Sequence, residues 1–432
     1  MTFVKNIRLG LLHVAVAVSM VPITGVLNRV MIHELGILAS LVAALIVVPY
    51  LLSPAQVWIG QYSDTHPLWG YRRTPYIAAG IILCAGGATM TPLGALMMAG
   101  NFWLGVLVSV AVFLMWGVGF NLAVVSYLSL ASDLSEESQR SRTIAVMWFM
   151  MITSVIITAV AAGNALSEYS PERLMRVFLI CGGVSLTLGA IGLIGLEPRN
   201  AQVTIGERHS AGEAVRAVLS NPQARRFFVY LMLLLAAILG QDVLLEPFGA
   251  QAFDMDVKQT TQLTATWGGA TLVALLLQGL VLSRYMSKKA GATLGGVLAA
   301  LGLFLIALSG VIASQALFVP AIALLGFGTG MATTTNLAMM LDMTTPEQVG
   351  LFIGAWGVAD SAARGLGNLL AGVLRDLVGF ALGSPDGGYV AVFLVEALML
   401  CVALSMLRRI DVSAFRCERP SLTQLLAVVG DA

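Results

Sequence analysis

The sequence predicts an all-α integral membrane fold of twelve transmembrane helices in two six-helix, pseudo-symmetric halves. Three observations predict it. Of 432 residues, 58% are hydrophobic and only 11% charged, with a mean hydropathy of +0.88. A soluble domain carries roughly a quarter charged residues, so these charges are too few to cover a water-soluble body of this size. The apolar residues fall in blocks of about 20 or more, the length of helix that crosses a bilayer core. Finally, motifs of the first half return in the second at one fixed spacing.

The blocks place helices at roughly 9–31, 36–58, 75–98, 103–131, 143–166, 174–196, 226–250, 262–284, 290–313, 316–341, 350–374 and 388–409. The first block, from about Leu9 to Met31, lacks a small-residue cleavage pattern and reads as a retained helix, not a signal peptide. The longest polar stretch, Glu197 to Arg226, carries Pro198, Pro222, Arg199, Arg208, Arg216, Arg225 and Arg226. The expected organisation is therefore a first half over 1–196, a cytoplasmic linker over 197–226, a second half over 227–410 and a cytoplasmic tail over 411–432. Leu422, Leu425, Leu426 and Val429 give that tail the spacing of a short amphipathic helix.

Basic residues orient the bundle. With both termini in the cytoplasm, 18 Lys and Arg fall on the cytoplasmic side and 5 on the other, with Arg364 inside a helix. The positive-inside rule favours this topology. A net charge of +1 offers no electrostatic case for nucleic acid. Cys84, Cys181 and Cys401 lie in apolar blocks and Cys417 in the tail, with neither metal-ligand spacing nor a disulfide framework.

The halves echo one another. Gly117, Gly119, Asp133 and Gln139 match Gly326, Gly328, Asp342 and Gln348 at a single offset of 209 residues, which makes helices four and ten equivalent. Gly60 and Asp64 after helix two are echoed more faintly by Gly279 and Ser283-Arg284 after helix eight. Two six-helix halves related by an axis along the membrane normal are the major facilitator arrangement.

The loop after helix two runs from Gly60 through Asp64 to Gly70-Tyr71-Arg72-Arg73. It resembles the facilitator loop between helices two and three, lengthened here by Thr65 to Trp69. Asp64 would sit near the positive end of helix eleven, and the arginines would meet acids or phosphates on the cytoplasmic side. The loop reads either as a packing latch or as a part of function.

Three stretches carry a closer resemblance. They are Thr24-Gly25-Val26-Leu27-Asn28-Arg29-Val30-Met31-Ile32 with Glu34-Leu35; Ser63-Asp64-Thr65-His66 with Gly70 to Ile77; and Ser126-Tyr127 with Asp133-Leu134 through Arg140-Ser141-Arg142 to Met147-Trp148. In these the chain resembles the bacteriochlorophyll-delivery family of phototrophic bacteria, the light-harvesting assembly proteins of PucC and LhaA type. The resemblance implies a chaperone-like, non-enzymatic role in building antenna complexes, with bacteriochlorophyll carried transiently. Implied partners are antenna α and β polypeptides and the reaction-centre core complex, and the implied location is the bacterial inner, intracytoplasmic photosynthetic membrane.

Ionisable residues inside membrane helices are costly and usually face a partner or a cavity. Asp242 and Glu246 are four apart in helix seven, and Asp360 and Arg364 four apart in helix eleven. Both helices run the same way, so Arg364 falls at the depth of Asp242 and Glu246 and is expected to pair with one of them across a central cavity. The pairing reads as a gate, as a polar patch orienting a pigment's carbonyl groups, or as an ion pair that fixes helix packing. Glu396 in helix twelve has no evident partner. Asn28 and Arg29, beside His33 and Glu34, read either as contacts to a tetrapyrrole carboxylate or antenna helix, or as interfacial anchors.

Bacteriochlorophyll needs an axial magnesium ligand, commonly an imidazole. Of the four histidines, His13 and His33 lie in helix one and His66 and His209 in cytoplasmic loops. His13 and His33 are therefore the candidate pigment ligands, against the plainer reading as hydrogen-bonded packing residues. Gly80, Gly86, Gly87 and Gly94 in helix three, Gly182, Gly183, Gly189, Gly192 and Gly195 in helix six, and Gly291, Gly295, Gly296 and Gly302 in helix nine offer two readings. They are outer grooves for antenna helices or pigments, or sites of internal packing. A proton-coupled secondary transporter of a small amphipathic or tetrapyrrole substrate is the alternative function, because fold alone does not decide. Catalysis is disfavoured: there is no Asp-x-x-x-Asp cluster on a cytoplasmic loop to hold magnesium and diphosphate, and no glycine loop followed by Lys-Ser/Thr.

Overall fold

The computed structural model describes residues 3–135, 140–199, 222–342 and 349–410. The expected tail helix, most of the linker with Arg208, His209 and Arg216, and Gln139 and Gln348 lie outside the described residues. So do the side chains of Asp64, Arg140, Arg142 and Asp342.

Among the described residues, eleven helices are long and apolar enough to cross a membrane. The first span is α1 (Phe3–Pro22), continued by two π-helical turns, Ile23–Leu27 and Val30–Glu34. Pro22 has no N–H to donate into the preceding turn, and the wider turns follow directly upon it.

The second span corrects the expectation of one helix over 36–58. It is built from α2 (Ala39–Ile46), α3 (Val48–Leu51) and α4 (Ala55–Thr65). Pro49 and Pro54 each remove a backbone donor, and the breaks fall beside them. The first half is completed by α5 (Thr74–Gly100), α6 (Phe102–Leu134), α7 (Arg140–Ala165) and α8 (Pro171–Leu193).

The seventh span is likewise broken where one helix over 226–250 was expected. It consists of α9 (Pro222–Gly240), a 3-10 turn Gln241–Val243 and α10 (Leu245–Phe253). Pro247 lies in the first turn of α10, where its missing N–H falls on a group with no helical partner anyway. Then follow α11 (Val257–Leu280), α12 (Lys288–Val311), α13 (Gln315–Asp342), α14 (Val349–Leu382) and α15 (Pro385–Arg408). A reciprocal capping box between Asp256 and Gln259 starts α11. The end of the bundle holding Phe3, the 66–74 loop and Arg408 is called the terminal face. The opposite end, holding Glu34 and Met255, is the distal face.

The two halves pack alike, as the repeat predicts. Gly80 of α5 lies against Ala123 of α6, and Gly295 of α12 against Ala332 of α13. Gly87 meets Trp116, and Gly302 meets Leu325. Each partner on α13 stands 209 residues after its counterpart on α6. In lipid no hydrophobic drive pulls helices together, so close approach over small residues supplies the packing.

These contacts also correct the docking reading of the glycines. Gly182 faces Thr89, Gly189 faces Ile81, Gly192 faces Leu12, Gly291 faces Thr335 and Gly296 faces Leu404, all inside the bundle. Gly183 alone among the α8 helix glycines has open space around it. The grooves are filled by neighbouring helices of the same chain.

Candidate functional site

The seam between the halves is closed at the distal face. Asn28, fully buried after the first π turn, donates from Nδ2 to Val243 O at 3.1 Å and to Glu246 Oε2 at 3.0 Å. Pro247, four residues after Val243, has no N–H to bond that carbonyl, which leaves the oxygen available to Asn28. Thr264 of α11 donates to the other oxygen of Glu246 at 2.6 Å. Glu246 is thus 4% exposed yet supplied with a donor on each oxygen. Thr261 donates to Gly25 O at 3.2 Å.

Arg29 is also buried. It bonds Glu34 Oε1 at 2.7 Å and Met255 O at 3.0 Å, so it ties the first span to the end of the seventh. Tyr169, in the turn before α8, has its phenol held above the usual range by burial first and by Glu34 second, with Arg29 opposing. A second tie joins α14 to α2. Asp376 accepts from Ala39 N at 3.3 Å and Ser40 N at 2.7 Å, so a carboxylate of the second half caps a helix of the first. Arg375 holds that carboxylate at 2.8 Å and stacks over the Tyr389 ring at 4.7 Å. Seven hydrogen bonds between described residues join the two halves on this side.

Deeper in the seam lies a charge cluster. Arg364 of α14 bonds Asp360 Oδ2 at 3.0 Å and reaches Asp242 Oδ2 at 3.5 Å. Its guanidinium carbon is 6.0 Å from the centre of the Tyr50 ring in α3. Of the two carboxylates expected as its partner, Asp242 is the one in reach. Glu246 is turned away toward Asn28 and Thr264. The break in the seventh span separates the two acids, which a continuous helix would have put on one face. Gln241 donates to Asp242 Oδ1 at 2.8 Å.

Toward the terminal face, His13 is half-buried in α1. Its ring centre lies 5.3 Å from that of Tyr127 in α6 and 5.6 Å from that of Trp148 in α7. His13 Nδ1 has no hydrogen-bond partner, and neither has His33 Nδ1 at the distal end. His66, stacked on Tyr62 at 4.2 Å, lies on the surface of α4's end.

The loop motif forms a separate assembly at the terminal face. Arg72 pairs closely with Asp133, and Arg73 lies 3.6 Å from the same carboxylate. Arg73 Nη1 donates to Ser63 Oγ at 2.6 Å and to Gly60 O at 3.4 Å. Gly70 (φ 81°) and Trp69 (φ 53°) form the two-residue turn closing the Leu68–Tyr71 bridge, a left-handed backbone that suits glycine and strains tryptophan. Backbone N–H groups of Arg72, Arg73 and Thr74 all converge on the Glu197 carboxylate at 2.7–3.1 Å. Glu197 thereby caps α5 from the far end of the first half.

Sequence reasoning missed Glu197, Asp376, Thr264 and Tyr50. Glu197 lies just past the end of α8 and Asp376 inside α14 beside Arg375, and with donors 123 or more residues away neither leaves a local signal. Thr264 and Tyr50 carry none, since their partners are 18 and several hundred residues away.

Comparison with known proteins places this geometry. The family described as PUCC protein matches residues 26–415. The chain is 33% identical over 425 residues to Protein PucC of Cereibacter sphaeroides, covering 94% of this chain and 92% of that one. It is 32% identical over 422 residues to Protein PucC of Rhodobacter capsulatus, covering 93% and 91%. Among solved structures it is similar to the nucleoside transporter NupG in its D323A form, with a TM-score of 0.72 at 15% identity, covering 94% of this chain and 99% of that one. Likeness at that identity establishes the fold, a major facilitator bundle, and nothing of the cargo. Since the family match takes in Asn28, the broken seventh span and Arg364 alike, the chain belongs to the PUCC protein family.

Proposed function

We propose that this multi-pass membrane protein is an assembly factor for light-harvesting antennae, which holds bacteriochlorophyll as cargo between its halves and passes it to antenna polypeptides. Family membership favours this reading. The observation that carries it in the fold is His13, an imidazole with an unpartnered Nδ1 between the rings of Tyr127 and Trp148. Nδ1 is buried and the rings touch in this conformation, so the imidazole can reach a magnesium ion only when α1 parts from α6 and α7, and the aromatic faces then suit a flat macrocycle. The role is carriage and hand-off, not catalysis. Antenna α and β polypeptides and the reaction-centre core complex are the proposed partners. The excess of basic residues on the terminal face supports both termini lying in the cytoplasm, and family membership favours a bacterial inner, intracytoplasmic photosynthetic membrane.

A second reading, a proton-coupled secondary transporter of a small amphipathic or tetrapyrrole substrate, is favoured by the Asp242–Arg364–Asp360 cluster in the seam. One experiment separates the two. The tagged protein is purified in mild detergent from a bacteriochlorophyll-making host, its absorption spectrum is recorded and the small polypeptides that accompany it are identified. Stoichiometric pigment that is lost in His13→Ala supports the assembly reading and its ligand. A colourless preparation without antenna chains, together with proton-dependent uptake abolished in Asp242→Asn, favours transport.

A further inference from the structure

Glu396 of α15 is the buried ionisable group that neither reading employs. It is 4% exposed, and neither carboxyl oxygen has a hydrogen-bond partner. It borders a small cavity of about 10 Å³ between α9, α14 and α15, otherwise lined by apolar residues such as Ala236, Leu370, Leu374 and Met399. Its Oε1 also lies against the backbone of Gly240, where an added Cβ would stand only 2.6 Å away. Gly240 is the last residue of α9 before the seventh span changes to the 3-10 turn.

The charges on the surrounding elements are spoken for or of the wrong sign. On the seventh span Asp242 is another acid, held by Arg364 and Gln241. On α14, Arg364 is committed to Asp360 and Asp242, and Arg375 to Asp376 at the distal end. α12 packs on α15 through apolar groups, Gly296 against Leu404 and Gly310 against Val390, and its Lys289 bonds the carbonyls of Arg408 and Ile410 at the terminal end. A carboxylate that meets no donor and no cation in an apolar site is strongly disfavoured, whereas the neutral acid is tolerated.

We propose that Glu396 is a proton-binding site, occupied in this closed-seam conformation. The bound ligand is a proton on one of the carboxyl oxygens. Glu396 Oε1 packs on Gly240, the residue before the Gln241–Val243 turn that Asn28 fastens across the seam, so a change in that turn alters the surroundings of the bound proton.

The test is infrared spectroscopy of the full-length protein in detergent near neutral pH, labelled with carbon-13 on glutamate. Wild-type protein and Glu246→Gln are expected to show a labelled stretch of a protonated carboxylic acid, and Glu396→Gln to lose it. A band unchanged in Glu396→Gln, or no labelled acid band in wild type, overturns the proposal. Should Glu396→Gln fail to accumulate, the other two samples decide. A labelled acid band that persists in Glu246→Gln upholds the site, and its absence there removes it.

Discussion

Asn28 and Glu246, 218 residues apart in the chain, are joined by a 3.0 Å hydrogen bond that fastens the first span to the seventh. Both side chains are buried, so the bond competes with no water. Asn28→Ala would leave Val243 O and one oxygen of Glu246 without their donor. The expected loss is about 1–3 kcal/mol, read as a lower thermal midpoint in detergent. A double-mutant cycle with Glu246→Gln should give a coupling energy clearly different from zero, and additive effects would place the stabilisation elsewhere.

Arg364 is the single cation between two carboxylates. Arg364→Ala strands Asp242 and Asp360 together, and because all three side chains are only partly buried the cost should be about 3 kcal/mol, at the low end for a broken internal pair. Exchanging the charges, Arg364→Asp with Asp242→Arg, should recover part of the midpoint lost by either change alone. If it recovers none, Asp360 is the partner that matters.

Asp376 acts on a helix of the other half. Asp376→Ala removes the acceptor for two N–H groups at the start of α2, worth about 1 kcal/mol as a lost cap. It should also loosen the distal seam. A cysteine placed at Leu38, exposed beside the cap, reports this as faster labelling by a membrane-impermeant maleimide. Unchanged labelling would mean that Arg29 and Asn28 hold the seam without help.

Two glycines of the outer helices should respond in opposite ways. A Cβ at Gly87 would stand 2.5 Å from Trp116 N, whereas Gly183 has nothing within 4 Å. Gly87→Leu should abolish accumulation of folded protein, and Gly183→Leu should leave fold and midpoint within about 0.5 kcal/mol of wild type, as for a surface change. Antenna levels that fall in Gly183→Leu despite a normal midpoint would reveal a docking surface there.

Much of the architecture could be read from residue order. The apolar blocks set the number of crossings because bilayer thickness leaves helices little choice of length. The 209-residue offset set the pairing of helices four and ten, which the matched contacts at Ala123 and Ala332 display. Arg364 and Asp242 came to the same depth because both helices run in one direction. The breaks were harder. Pro49 and Pro54 stand at the breaks of the second span, where one helix over 36–58 was expected all the same, but Gly240 to Leu244 contains no proline, and its 3-10 turn depends on tertiary partners such as Asn28. Glu246 was expected beside Asp242, and the turn separates them. The Glu197 cap was hidden for a related reason: a carboxylate 123–125 residues from its donors leaves no local pattern.

The distal ties give the molecule the mechanics of a pair of tongs. With its fastenings gathered at one end, each half is a lever as long as its helices. A 27-residue helix is about 40 Å long, so a rotation of about 10° at the fastened end swings the free end by roughly 7 Å. Two halves turning in opposite senses double that gap. A broad, flat cargo therefore needs no tunnel through the protein. Under the proposed function, a small pivot at Asn28 and Asp376 would part the jaws at the other face widely enough to take it edge-on.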